Sequence, residues 1–364
     1  MYSPKFTISS GILSSVGKIE ASREVIDSAP LVPAWEKRFR DEAKIRIVHH
    51  GTHLEGNDLS YSEAERVIHG QEVTGKQRDV QEVINYREVM EYIDKIAGVG
   101  EEIKDGEGKG EFLPITEEML KEVHRLTVHK LLDDEESGSY REVKVVIRNT
   151  TTGEITFRPP PPVEIPYLLS AFFHWLNSQK GRSVHPLLRA GILHYELVKA
   201  HPFTDGNGRT ARAIALLLLF IEGYQVKRFF SLEEYYDSNP QDYYDALKSV
   251  EKKKGDLTDW LEYFTLGIAV EFSRVKDMVQ KLSLDLKLKS TMGGRQIALS
   301  ERQIKLIGYL ERHGSMVMGE GKDVLPNVSD DTVLRDLRDL VKKELVTKKG
   351  KTKGVRYYLK HGGE

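Results

Sequence analysis

There is no cysteine in the 364 residues. That excludes disulfides and thiolate metal sites, and it is the usage a reducing cytosol permits. Neither sign of charge dominates: 54 Lys and Arg against 56 Asp and Glu leave a net charge of -2. This argues against a chain-wide nucleic-acid or membrane surface, while a local basic patch stays open. Long apolar runs are missing too. The longest, Ala213 to Ile221, is far too short to span a bilayer. No basic stretch leads into an apolar core at the N-terminus, so no secretory signal is expected. There is no His-Glu-x-x-His; His49, His50 and His53 have no further ligand at fixed spacing. Adjacent histidines on a helix point to different faces, which reads against a zinc site. What remains is an ordinary globular composition, 39% hydrophobic and 30% charged, with a length suited to two or three domains. The expectation is a soluble, cytoplasmic protein.

One stretch concentrates the chemistry: His201-Pro202-Phe203-Thr204-Asp205-Gly206-Asn207-Gly208-Arg209-Thr210-Ala211-Arg212. Helix is expected on both sides. Leu187, Leu188, Ile192, Leu193, Leu197 and Val198 recur at helical spacing before it, and Ala213 to Phe220 is apolar nearly all round after it, as in a buried helix. A Gly-Asn-Gly turn can take positive φ and aim several N–H groups at one point. Where it opens a helix, the unpaired first-turn amides and the dipole attract an anion. Arg209 and Arg212 share a helix face, placed to clamp one polyphosphate. Asp205 suits a magnesium ion, which takes few carboxylates and completes its shell with phosphate oxygens. His201 can act as a base near neutral pH.

These residues resemble the Fic family signature, His-x-Phe-x-Asp/Glu-Gly-Asn-Gly-Arg-x-x-Arg, matched at all eight fixed positions. Most members of that family transfer AMP from ATP to a hydroxyl side chain of a target protein. The resemblance implies that His201 is the general base and Asp205 the Mg2+ ligand. It makes Gly206, Asn207 and Gly208 the anion hole and Arg209 and Arg212 the phosphate ligands, with Thr210 inside the same ATP-binding turn. Family phosphotransferases vary the Gly-Asn-Gly-Arg part, often with Lys at the second Gly, so Gly208 favours AMP transfer.

Ahead of the signature, residues 1–30 show no strong period, with a short helix expected from Glu20 to Ile26. A helix is expected from Ala34 to about Leu54, with Trp35, Phe39, Ala43, Ile47 and His50 on one face and Gly56 closing it. Ser60 to Glu63 has capping-box spacing, and another helix runs from about Lys76 to Ile96. Gly98 to Gly110 reads as a surface loop. Thr116 caps a helix reaching about Leu132. Val143 to Ile147 and Glu154 to Phe157 read as a hairpin around Asn149-Thr150-Thr151-Thr152-Gly153. In the Fic family such a flap lies over the active site and pairs with an extended segment of the target, which would make Ile155, Thr156 and Phe157 the docking strand. Helix resumes from about Pro166 to Ser178.

Past the signature, Glu233 to Tyr236 and Asp242 to Leu247 read as helices broken at Asn239-Pro240. The resemblance implies that Tyr243 and Tyr244 stand beside the nucleotide base, although a single tyrosine more often packs a core. A long helix from Thr258 to about Val279 precedes a Lys- and Leu-rich stretch, Gln280 to Lys289, and Met292-Gly293-Gly294 suggests a boundary. Helices over Ser300 to Arg312 and Ser329 to Leu345, then a terminal basic hairpin, resemble a winged helix-turn-helix domain. Lys348, Lys349, Lys351, Lys353 and Arg356 form a cluster suited to phosphates. Asp330, Asp331, Asp336 and Asp339 on the later helix would repel them. DNA and protein docking are both open.

Gly51-Thr52-His53-Leu54-Glu55-Gly56-Asn57 gains meaning beside the signature. Many Fic proteins carry an inhibitory helix with Ser/Thr-x-x-x-Glu-Gly/Asn, whose Glu pairs with the second signature Arg and keeps out the ATP γ-phosphate. Glu55 matches that Glu, whereas Gly51 replaces the Ser or Thr. The expected architecture is mainly α: residues 1–110 as a helical region with the inhibitory helix, 111–290 as a Fic-type bundle with a β-hairpin flap, and 291–364 as a winged helix-turn-helix domain. The expected activity is protein adenylyltransfer with ATP and Mg2+, held in check by Glu55. The alternatives are AMP removal using Glu55 and a nucleotide-sensing DNA-binding regulator. The partners this allows are a target protein with a modifiable Tyr, Thr or Ser, DNA or protein at the winged helix, and a second copy of the chain; no membrane is expected.

Overall fold

The computed structural model describes residues 2–29, 31, 33–98, 113–148, 155–291, 299–326, 328–350 and 355–360. Two compact units emerge: Met1–Asp27 with Val32–Val275, and Ser28–Leu31 with Lys276–Glu364. The expected loop over residues 99–110, the hairpin turn over 149–154, the Met292-Gly293-Gly294 boundary and the wing residues Lys351 and Lys353 lie outside the described residues.

The first unit is helical, and its order is α1 (Ser10–Ser28), α2 (Pro33–His53), α3 (Tyr61–Ile68), α4 (Gln77–Ile96) and α5 (Glu117–Thr127). A short hairpin follows, β1 (Ile147–Arg148) and β2 (Ile155–Phe157). Then come α6 (Ile165–Asn177), α7 (Gln179–Arg182), α8 (Pro186–Ala200), α9 (Asn207–Ile221), α10 (Leu232–Ser238), α11 (Pro240–Lys252) and α12 (Thr258–Thr291), which continues into the second unit. At the centre is α9, where every residue from Arg209 to Phe220 is buried. α8, α5 and α4 pack around it, and α2 packs on α3, α4 and α10. A helix so enclosed is held by packing, and trimming a core leucine such as Leu217 costs about 2–5 kcal/mol. α12 approaches α8 at Gly191, where a β-carbon would stand 2.8 Å from Leu261. The Gly191 carbonyl there accepts from Trp260 Nε1 at 2.7 Å.

Local chemistry sets several boundaries. Ser60 and Glu63 form a capping box at α3, and Thr116 caps α5 by accepting from the Met119 N–H. Four expectations need correction. α1 spans Ser10–Ser28, more than twice the expected helix; its buried stripe is Ile12, Ser15, Ile19, Ser22 and Ile26, so two serines dilute its apolar period. α5 ends at Thr127, and turns closed on the Val128 carbonyl lead on to Leu132. The strand expected from Val143 begins only at Ile147. α12 runs to Thr291 instead of stopping near Val279.

The second unit holds α13 (Glu301–His313), β3 (Met316–Val317), α14 (Met318–Val324), α15 (Asp330–Lys342), β4 (Val346–Lys349) and β5 (Arg356–Leu359). Its antiparallel sheet has the order β3-β5-β4. Leu306, Ile307, Leu310, Val333, Leu337, Leu340 and Tyr357 contribute to its own core. β3 and α14 had no counterpart in the sequence reading, since both are short and their apolar residues are few. On α15 the acids are not one exposed face: Asp336 is buried against Arg302 at 2.6 Å, and Asp339 pairs with Lys343 at 2.6 Å.

Candidate active site

The signature loop joins α8 to α9 through a sharp reversal. His201 caps α8 in the left-handed region (φ 45°, ψ 59°), its N–H bound to the Leu197 carbonyl at 3.0 Å. A side chain bearing a β-carbon is strained there by about 1–3 kcal/mol, so the neighbours must hold it. They do so through backbone contacts. Asn207 accepts from the Phe203 N–H at 2.9 Å and donates to the Phe203 carbonyl at 2.8 Å. His124, fully buried, stacks on Phe203 with ring centroids 3.7 Å apart. Its Nδ1 accepts from the Gly138 N–H at 2.9 Å, so its proton sits on Nε2 and goes to the Asp205 carbonyl at 3.0 Å. Burial lowers the His124 pKa to about 4, so the ring stays neutral in this role. Arg141, also buried, donates from Nε to the His201 carbonyl at 2.8 Å.

Gly206 opens α9 as its N-cap with φ 73°, a conformation glycine adopts without strain. The first helical bond there is from Thr210 N–H to the Gly206 carbonyl, which leaves the amides of Asn207, Gly208 and Arg209 without intrahelical acceptors. At that end lies a carboxylate. Glu55 Oε1 accepts from Arg212 Nη1 at 2.8 Å and stands so close to Gly208 that a β-carbon there would be 2.1 Å from it. Burial pushes the Glu55 pKa up, but Arg212 and Arg209 outweigh it and hold the group below the usual carboxylate range. Arg212 Nη2 also donates to the Gly51 carbonyl at 2.8 Å. A β-carbon at Gly51 would meet the Tyr86 ring at 2.4 Å. Glycine at that position therefore lets α2 approach Tyr86 and bring its carbonyl to Arg212. Thr52, the nearby hydroxyl, turns back to the carbonyls of Val48 and His49.

The other charged groups of the turn are engaged as well. Arg209 Nη1 lies 3.3 Å from Glu82 Oε1, and Glu82 Oε2 also accepts from Asn57 Nδ2 at 3.0 Å. Asp205 Oδ2 accepts from Arg78 Nη2 at 2.6 Å. Burial raises the Asp205 pKa, while Arg209, the Gly206 amide and Arg78 bring it below the ordinary value. Arg209 Nε and Arg212 Nε are buried donors with no hydrogen-bond acceptor among the described residues.

A cavity of about 200 Å³ is bordered by Glu55, Ile147, Phe157, His201, Gly208, Arg212, Tyr243 and Tyr244, among others. His201 Nδ1 faces the Val198 carbonyl at 3.3 Å. A carbonyl can only accept, so Nδ1 carries the proton and Nε2 keeps its lone pair. Burial lowers the His201 pKa, partly offset by the Val198 carbonyl and Glu55. Tyr243 is buried, its hydroxyl 2.9 Å from His194 Nε2, whereas Tyr244 is 40% exposed. Asp205, Gly206, Asn207, Arg209 and Thr210 do not border the cavity. Of the flap residues, Phe157 borders it, Ile155 is 37% exposed, and the Thr156 side chain lies outside the described residues.

Sequence reasoning missed four residues here. Arg78 and Glu82 carry a faint signal, an i,i+4 pair on one helix. Nothing local singles out His124 or Arg141. Two of the three histidines of α2 have a polar partner, His50 Nδ1 and His53 Nδ1 lying 2.7 and 2.8 Å from Asp237 on α10, while the His49 ring packs edge-on against Tyr61.

Comparison with known proteins converges on one family. The Fic/DOC family matches residues 114–219. The protein adenylyltransferase Fic of Culex quinquefasciatus is 31% identical over 209 residues, covering 57% of this chain and 38% of that relative. That of Nematostella vectensis is 30% identical over 227 residues, 60% of this chain and 48% of that relative. The chain thus spans between about two fifths and half of the length of these curated relatives. Among solved structures, a Fic family protein from Desulfovibrio desulfuricans aligns over 100% of both chains with a TM-score of 0.63 and 23% identity. Fic-1 from C. elegans aligns over 74% of this chain and 73% of its own, with a TM-score of 0.56 and 24% identity.

Proposed function

The chain is a Fic family protein, and on that premise we propose that it is a protein adenylyltransferase whose resting state is blocked by Glu55. The observation that carries this reading is that His201, Gly208 in the first turn of α9 and Arg212 border one cavity. A base, an anion hole and a phosphate ligand around one space are the requirements of nucleotidyl transfer.

With Nδ1 committed to Val198, His201 Nε2 is the atom that takes the proton from a target hydroxyl. The freed oxygen attacks the α-phosphorus of ATP, the bond to the bridging oxygen breaks, and pyrophosphate leaves with the negative charge. The α9 amides and Arg212 stabilise phosphate charge; catalysis is mostly positioning and electrostatics. Phe157 and Ile147 on the flap border the same cavity, which suits a target segment laid beside β2.

Among the described residues, no group of three or more His, Cys, Asp or Glu could hold a metal ion. One carboxylate suffices for a magnesium ion carried in with phosphates. Asp205 fits that role once Arg78 releases its Oδ2; the ion would neutralise charge on the leaving pyrophosphate.

Glu55 places a negative oxygen on Arg212 at the helix N-terminus, where a terminal phosphate would compete for the same guanidinium. The deciding experiment compares wild type and Glu55→Gly with ATP labelled at the α- or γ-phosphate, in a cell lysate. Label on protein from the α-position only, and more from Glu55→Gly, is expected. Label from the γ-position, or none from either, would overturn the reading.

A further inference from the structure

We propose that Arg141 is a positioning residue that ties the base loop to the flap, so that the target-docking hairpin and His201 hold a common register. The inference rests on the adenylyltransferase reading and concerns how that site is assembled.

The surroundings of Arg141 are unusual for a charge. Arg141 is buried, and it forms no ion pair among the described residues. Each of its three guanidinium nitrogens donates to backbone instead. Nε goes to the His201 carbonyl at 2.8 Å, Nη1 to the Val143 carbonyl at 2.9 Å, and Nη2 to the Pro160 carbonyl at 2.7 Å. Its own N–H donates to the Pro202 carbonyl at 2.9 Å. Three segments therefore meet on one guanidinium: the signature loop, the chain entering the hairpin before Ile147, and the chain leaving it after Phe157.

Burying a cation without a counter-ion is costly unless hydrogen bonds compensate it. The planar fork is suited to that, since its nitrogens point in fixed, different directions. A lysine concentrates its three donors at one point and cannot span the same carbonyls. Burial lowers the Arg141 pKa with nothing opposing it, which agrees with a group held by dipoles alone.

The consequence is mechanical. Among the described residues the hairpin comprises Ile147–Arg148 and Ile155–Phe157, and Arg141 bonds the chain on both of its flanks. His201 in turn sits in a strained left-handed conformation. Both depend on contacts made by the rest of the chain, and Arg141 is common to the two. A target strand registered on the flap would then present its hydroxyl to His201 at a distance set through this side chain. A displacement of about 1 Å at a reacting centre can cost 10²-fold in rate.

The test uses the full chain in the Glu55→Gly background, with Arg141→Lys and Arg141→Gln as separate variants. Three quantities are read: incorporation of α-labelled AMP into lysate protein, ATP affinity by calorimetry, and hydrogen exchange along the chain. Incorporation should fall about 10²-fold in both variants, with ATP affinity within about twofold of the parent. Amides of residues 143–148 and 155–158 should exchange faster together with those of 201 and 203–206. Unchanged ATP affinity certifies the fold; if Arg141→Gln does not fold, Arg141→Lys carries the test. Full activity in Arg141→Lys would reduce the role to charge and overturn the proposal. So would faster exchange in one segment without the other. If the Glu55→Gly parent transfers no label, the functional reading fails, while the exchange data still decide whether Arg141 couples the two segments.

Discussion

Two sides of the signature loop are held by different forces. On the side of its charged groups, charge meets charge: Arg212 with Glu55, Arg209 with Glu82, Asp205 with Arg78. Glu55 comes from the turn after α2, and Glu82 and Arg78 from α4. On the base side, backbone carbonyls and amides are gripped by buried side chains, Asn207 on Phe203, His124 on Asp205 and Arg141 on His201. Ion pairs can be exchanged for a ligand of like charge with little rearrangement. Backbone bonds to a buried loop cannot, because breaking one strands a polar group. The first side is therefore suited to regulation and the second to keeping geometry constant.

The largest expected effect tests the constant side. In the Glu55→Gly background, His201→Ala should lower AMP transfer by about 10²–10⁴-fold, the usual worth of a general base, with ATP affinity nearly unchanged by calorimetry. The acid limb of the parent's rate profile should also report this residue. His201 acts only when neutral, and its pKa is held below the ordinary imidazole value by burial. The rate should thus be flat through neutrality and fall only as pH drops below the usual histidine midpoint. Removing Glu55, whose charge raises that pKa, places the fall lower still. Wild-type transfer by His201→Ala would remove the distinction between the two sides.

Next in size is the exchangeable pair. Glu55→Gly should raise AMP transfer by about 10²-fold, since a misaligned α-phosphate costs about that much. ADP, lacking the γ-phosphate, should bind both forms with nearly equal affinity. Arg212→Ala should raise the KM for ATP by about 10- to 100-fold in Glu55→Gly, as a charged hydrogen bond is worth about 1.5–3 kcal/mol. An unchanged transfer rate in Glu55→Gly would leave Glu55 a helix-end residue.

A smaller effect is expected at Asp205. Its partner Arg78 keeps 57% of its side chain exposed, so the pair is worth about 0–1 kcal/mol. Arg78→Ala should lower the Mg2+ concentration for half-maximal transfer by no more than about fivefold; a rise would show that Arg78 assists the metal instead of competing with it.

The smallest effect on transfer, none, separates the two units. Reversing Lys348, Lys349 and Lys351 to Glu should leave AMP transfer intact. If the C-terminal unit binds DNA, the same change should weaken binding and flatten its salt dependence in an electrophoretic shift. Absence of binding by the wild type at low salt would favour protein docking there.

Much of this was legible in the sequence because the signals are local. A Gly-Asn-Gly turn between two apolar periodic runs, serine and threonine caps, and Gly56 at a helix end are short-range instructions, and the helices formed near them. Only Glu20 to Ile26 of α1 was expected, because Ser15 interrupts the buried apolar stripe ahead of it. The ends of α5, α12 and β1 shifted because tertiary contacts, not propensity, decide where a helix or strand stops.

By itself, the sequence determined which groups stand at the turn: an imidazole, a carboxylate, three residues able to free their amides, and two guanidiniums. Their identities and spacing follow from covalent order. Only the tertiary structure decided what each one meets. Glu55 lies far along the chain from Arg212, Glu82 from Arg209, Arg78 from Asp205, and Arg141 from His201, yet each pair is in contact. No local period encodes such contacts, because they arise when α4 packs on α9, α2 on α4, and Arg141 on the signature loop. A charge or carbonyl then finds its partner through burial, where leaving either unpaired would be costly.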